Sequence, residues 1–190
     1  MLKATVMKKQ TNYLLIIAIL MILAAALSRL VLYPYNYSPI IGMAIFGGAV
    51  IKDKRLAFAL PILSMFISDL LFELFTPVKG FWGMGQVAHY VIYAGITCLG
   101  FLMKRINVIN VAAFSISASL VFYFLSNTSV FIFDNPQFHL YPQTIGGYFQ
   151  CLGAGLPFLK KTIPTDLLYS AILFGGYYLM ETRVFSKATA

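Results

Sequence analysis

From Asn12 to Met180 the chain is a succession of apolar runs broken by short turns rich in Lys, Arg, Pro and Gly. That alternation restricts it to one class of fold. A helix needs about 20 apolar residues to cross the hydrocarbon core of a bilayer, where every backbone polar group must be satisfied within the segment. The runs at 12–32, 56–75, 84–103 and 108–133 reach that length, and shorter ones at 38–51 and 163–180 complete a set of six. The expectation is an all-α, polytopic membrane helix bundle with six transmembrane helices, forming a single membrane domain over 1–190. The segment 144–159 is apolar but short and glycine-rich, which reads as an interfacial or re-entrant piece between the fifth and sixth helices. Composition agrees with a chain whose solvent is lipid. Hydrophobic residues make up 60% and charged residues 11%, against about 45–50% and about 25% in soluble domains.

The net charge of +8 does not mark a nucleic-acid binder, because the basic residues cluster at the ends of the apolar runs. There they set membrane orientation. With the N-terminus inside, ten of the 14 basic residues fall on the inner side, including Lys3, Lys8 and Lys9, the turn Lys52–Arg55, the pair Lys104–Arg105, and Arg183 with Lys187. Arg29, Lys79, Lys160 and Lys161 fall outside. Were 144–159 also to cross, the split would be unchanged, so charge does not decide that segment. The expected location is a bacterial cytoplasmic (inner) membrane, with both termini cytoplasmic. Ala24-Ala25-Ala26 has the small-residue character of a signal-peptidase site, but the apolar run continues past it to Leu32 and on into further segments. A retained first helix is expected.

This orientation gives the embedded polar residues a common side. Asp69 and Glu73 lie four residues apart on one helical face, with Asp69 roughly 9 Å from the Phe75 end of its run. Arg29, Asn127 and Asp166 also lie toward the outer ends of their runs, as do Gln86 and His89. Charge inside a bilayer is costly and marks functional sites. The pattern predicts a bundle packed through its inner half with a polar cavity in its outer half. The aromatics available to line that cavity include Tyr33, Tyr35, Tyr37, Phe72, Phe81, Trp82, Tyr90, Phe138, Tyr141 and Tyr148. An apolar, aromatic pocket with a few polar groups is the usual form of a small-molecule site. The candidate binding residues are Asp69, Glu73, His89, Arg29, Asn127, Asp166 and Trp82.

Each has a plainer alternative. Asp69 and Glu73 either meet a ligand, cation or proton, or form an internal ion pair with Arg29. His89 is a ligand contact or a packed interfacial histidine. Asn127 either faces the ligand or bonds a neighbouring helix. Asp166 sits where an acidic residue complements a helix dipole, and Trp82 where tryptophans anchor a membrane interface. Cys98 and Cys151 have no redox or zinc spacing. Cys151 with His139 or His89 is a weak metal constellation against a simple buried cysteine. The chain has no phosphate-cradling Gly-rich loop, no G-x-S-x-G and no H-E-x-x-H. Binding without catalysis, with neither cofactor nor metal, is therefore expected.

Pro39, Gly47-Gly48, Ser68-Asp69, Asn127, Tyr141-Pro142, Leu156-Pro157-Phe158 and the stretch from Asp166 to Tyr169 resemble a bacterial family of unknown function grouped with transport proteins. The likeness covers roughly 27–180. That family is in turn similar to the substrate-binding S components of energy-coupling factor (ECF) vitamin transporters. The resemblance implies a six-helix protein with cytoplasmic termini, an outward-open pocket and an energising ATPase and transmembrane module as partner. One feature departs from that pattern: Ala24 and Ser28 have the spacing of an alanine-x-x-x-alanine docking surface without being a strict pair. The expected function is a membrane-embedded substrate-binding subunit for uptake of a small molecule, with a vitamin as the implied class. The alternatives are an intramembrane metal-dependent enzyme using Asp69, Glu73 and His89, and a structural subunit of a membrane complex.

Overall fold

The computed structural model describes residues 2–32 and 38–186, and among these residues there is no strand. Tyr33, Tyr35, Tyr37 and Lys187 lie outside the described residues, as do the side chains of Lys3, Lys8 and Lys9. The helices are α1 (Leu2–Leu32), α2 (Ile40–Val50), α3 (Lys54–Phe75), α4 (Met84–Leu102), α5 (Val108–Ser129), α6 (Asn135–Phe138) and α7 (Ile145–Ser186). A π-helical turn, Val130–Asp134, joins α5 to α6. Four stretches are long and apolar enough to cross a membrane: Asn12–Val31, Lys54–Phe75, Met84–Leu102 and Val108–Asp134. The all-α architecture and its membrane character agree with the sequence. Two of the six expected spans take a different form.

The first is α2. At about 16 Å it is shorter than a lipid-exposed helix that spans the hydrocarbon core. It is apolar on every side, and a helix with no polar face belongs in a core. Residues Ile40 to Gly48 are all buried, and α2 touches α1, α3, α4, α5 and α7. Phe46 packs edge-on against Phe174 at 5.2 Å and Tyr177 at 5.7 Å. Glycines let the helices come this close. A Cβ on Gly48 would lie 2.3 Å from the Thr97 carbonyl oxygen, and one on Gly100 would lie 2.6 Å from that of Ile45. The backbones of α2 and α4 are therefore in direct contact, as small residues permit in membrane bundles.

The second is α7. The expected interfacial segment 144–159 and last span 163–180 form one helix, continuous through Pro157 and Pro164. Proline is tolerated in helices of membrane bundles because neighbouring groups re-satisfy the freed backbone, so these prolines do not end the helix. α7 runs antiparallel to α5. It is tied to it near one end by Tyr148 Oη and Thr128 Oγ1 (2.8 Å) and further along by Ser115 Oγ donating to Ser170 Oγ (2.7 Å). Between those ties α7 rises about 33 Å and α5 about 20 Å. The excess path lies around the two prolines, and the space it opens is the cavity described below.

Candidate functional site

Arg29 stands in the last turns of α1 and Asp69 in α3. Nη1 of Arg29 is ion-paired with Asp69 Oδ1 and donates to Ser68 Oγ at 2.8 Å. The guanidinium also lies over the Phe72 ring, 5.1 Å from its centre. The other carboxylate oxygen, Oδ2, accepts from Gln86 Nε2 at 2.9 Å and from Tyr90 Oη at 2.7 Å. Asp69 is fully buried. Of the two readings of this aspartate, the geometry matches the internal ion pair, with three donors around one carboxylate.

The same network holds the α3–α4 connection. Gln86 Nε2 donates to the Gly80 carbonyl (2.8 Å), Gln86 Oε1 accepts from the Trp82 N–H (3.2 Å), and Glu73 Oε2 accepts from the Gly80 N–H (2.8 Å). Gly80 lies so close to α3 that an added Cβ would fall 1.8 Å from the Asp69 carbonyl oxygen. Glu73 is thus an exposed residue that caps this loop, one turn nearer the helix end than Asp69.

The cavity lies beside this network. It has a volume of about 520 Å3 and is bounded by Arg29, the start of α2, α4, α5 and α7. Five of the seven candidate residues line it: Arg29, Trp82, His89, Asn127 and Asp166. Asp69 and Glu73 are not among the lining residues. Asp69 stands behind Arg29, and Glu73 faces the loop.

One wall is aromatic. The His89 ring is 5.9 Å from Trp82 and 5.6 Å from Phe122, and Tyr93 stacks on Phe122 at 5.4 Å. His89 Nδ1 is 2.7 Å from the Gly85 carbonyl oxygen. A carbonyl only accepts, so Nδ1 carries the proton, and in the neutral ring Nε2 is then an acceptor. The opposite wall is the α7 face carrying Gly155, Phe158, Leu159, Thr162 and Asp166, positions three or four apart that share one side of a helix. Asp166 is 1% exposed, and its Oδ2 accepts from Ser119 Oγ at 2.6 Å. Asn127 donates from Nδ2 to the Tyr123 carbonyl at 2.7 Å, and Cys151 Sγ is 3.4 Å from the Asn127 carbonyl oxygen.

Sequence reasoning missed Tyr93, Phe122, Tyr123 and the hydroxyl set Ser119, Ser126, Thr162 and Thr165, all of which line the cavity. The hydroxyls were legible only as small packing residues, since nothing local distinguishes a serine facing a cavity from one facing a helix. Tyr141 does line the cavity. It is positioned by the buried Asn135, whose Oδ1 accepts from the Tyr141 N–H (2.7 Å) while its Nδ2 donates to the Tyr141 carbonyl (2.9 Å). Tyr90 and Phe72 serve the Arg29–Asp69 network instead. His139 is exposed, with a left-handed backbone that ends α6. Among the described residues no three His, Cys, Asp or Glu side chains are grouped so as to hold a metal.

Over residues 9–188 the chain matches a family of unknown function, DUF6580, and it belongs to that family. No protein of curated function and no solved structure matches it.

Proposed function

We propose that this protein is a membrane-embedded binding subunit for uptake of a small molecule, with the 520 Å3 cavity as its ligand site. The observation that carries this is the chemistry of the cavity. In a largely apolar bundle, one open cavity gathers an arginine, a histidine, an asparagine and an aspartate beside an aromatic wall. Buried polar groups are costly in a membrane protein and mark substrate paths, and such a mixed lining suits a small organic ligand.

In this proposal α1, α3, α4 and α5 cross the membrane fully. α2 is the enclosed second pass, and the 163–180 part of α7 is the sixth. The basic turns at 52–55 and 104–105 face the cytoplasm of a bacterial cell with both termini, and the cavity opens outward. The protein binds and releases its ligand unchanged. An S-component-like role, with a separate ATPase module supplying energy, rests on the resemblance of the residue patterns described above.

The test is native mass spectrometry of the protein released from its own membranes. Wild type is expected to carry a small-molecule adduct at one copy per chain. Ser126→Phe, which fills the cavity from α5, is expected to lose the adduct while keeping its melting temperature. An adduct that persists in Ser126→Phe, or a folded wild type that carries none, would overturn the proposal.

A further inference from the structure

Resting on the cavity as the ligand site, we infer the class of ligand from which hydrogen-bonding groups the cavity leaves open: a planar aromatic compound bearing a cationic, N–H-donating group that Asp166 receives. Much of the donor capacity of the α5 and α7 walls is turned back on the protein's own carbonyls. Ser126 Oγ donates to the Tyr123 carbonyl (3.3 Å), Tyr123 Oη to that of Leu152 (2.5 Å), Thr162 Oγ1 to that of Phe158 (3.0 Å) and Thr165 Oγ1 to that of Lys161 (2.8 Å). Acceptors are left over. Asp166 Oδ1 has no hydrogen-bond partner among the described residues, although the side chain is 1% exposed and lines the cavity. His89 Nε2 also has no hydrogen-bond partner among the described residues, on a half-buried ring that lines the cavity. Both residues line the cavity, so a ligand that brings donors satisfies these open acceptors.

Charge points the same way. Arg29 and Asp166 are the Arg and Asp residues that line the cavity, and the charge of Arg29 is already met by Asp69. Arg29 therefore acts toward a ligand as a polar N–H donor without net charge behind it, whereas Asp166 has no cationic partner among the described residues, and a cation in the cavity would hold its carboxylate ionised. The ring centres of Trp82, His89 and Phe122, successively 5.9 and 5.6 Å apart, give a planar ligand an aromatic wall. Aromatic faces attract cations, so wall and carboxylate favour the same charge.

The sole tryptophan of the chain, Trp82, lines the cavity and reports its occupancy directly. Wild type in lipid nanodiscs is titrated near neutral pH with three probes of one shape: benzamidinium, benzamide and benzoate. Saturable quenching of Trp82 is expected at concentrations about tenfold lower for benzamidinium than for the other two, as for one charge-assisted hydrogen bond. Asp166→Asn is expected to remove that preference. Asp53→Asn, the same carboxylate-to-amide change at the exposed cap of α3 and outside the cavity, is expected to keep it. Saturable quenching by all three probes alike, or best by benzoate, would overturn the inferred ligand class and leave the cavity as the site. No saturable quenching by any probe would overturn the cavity itself as a ligand site.

Discussion

Asp69 neutralises Arg29 inside the bundle, and its second oxygen holds Gln86 and Tyr90. Breaking one member of a buried ion pair leaves the other charged and unpaired, which costs about 3–5 kcal/mol in proteins. Asp69→Asn is therefore expected to lower the unfolding midpoint of the detergent-solubilised protein sharply. Arg29→Gln combined with Asp69→Asn is expected to recover much of that loss, because no charge is then stranded. A double variant no more stable than the single one would count against the pair as the source of the effect. Asp69 acts here as a positioning residue, which holds Arg29 at the cavity wall and, through Gln86, the loop that carries Trp82. The sequence made Asp69 and Glu73 look like a matched pair because positions four apart share a helical face. What separated them was invisible there. An arginine 40 residues earlier in the chain meets one carboxylate, and a turn of backbone caps the other. By contrast Arg29, Trp82, His89, Asn127 and Asp166 were legible as a group, because each is polar or amphipathic within reach of the same end of an apolar run.

Among the elements, α2 carries the packing of the bundle. Gly48→Ala would force its new Cβ against the α4 backbone at Thr97, an atom that no side-chain rotation can move. Overpacking typically costs about 1–3 kcal/mol, and a clash with rigid backbone belongs at or above the upper end. Gly175→Ala is the matched control, since an added Cβ there meets nothing within 4 Å, and its expected effect is within about 0.5 kcal/mol. Equal melting temperatures for the two variants would contradict the close α2–α4 contact. The sequence marked the membrane-length stretches of α1, α3, α4 and α5 to within a few residues, since length and hydropathy suffice for a helix that spans lipid, but not the ten residues by which α1 extends before Asn12. It placed α2 but did not show that protein surrounds it, because a short apolar run does not say whether lipid or protein is its neighbour. It divided α7 because Pro157, Pro164 and the nearby glycines carry break signals that tertiary packing overrides. The cavity depends on that undivided helix, so its far wall was the least legible part of the site.

For the whole molecule, the proposed design is a bundle with an apolar buried core and its larger cavity on the side away from the basic turns. Ile45, Phe46, Ala57, Ile96 and Phe174 belong to the buried core, and the cavity among α4, α5 and α7 lies beside it. Binding from outside requires that water-soluble molecules reach the α7 wall without crossing the bilayer. Thr162 lines the cavity and is partly exposed. The most direct measurement is the reactivity of Thr162→Cys, in a background with Cys98→Ala and Cys151→Ala, toward a small membrane-impermeant thiol reagent added to intact cells. The account predicts that Thr162→Cys is modified from outside, and more slowly when Ser126→Phe fills the cavity. Modification only after the cytoplasmic side is exposed, or none in a folded protein, would contradict it.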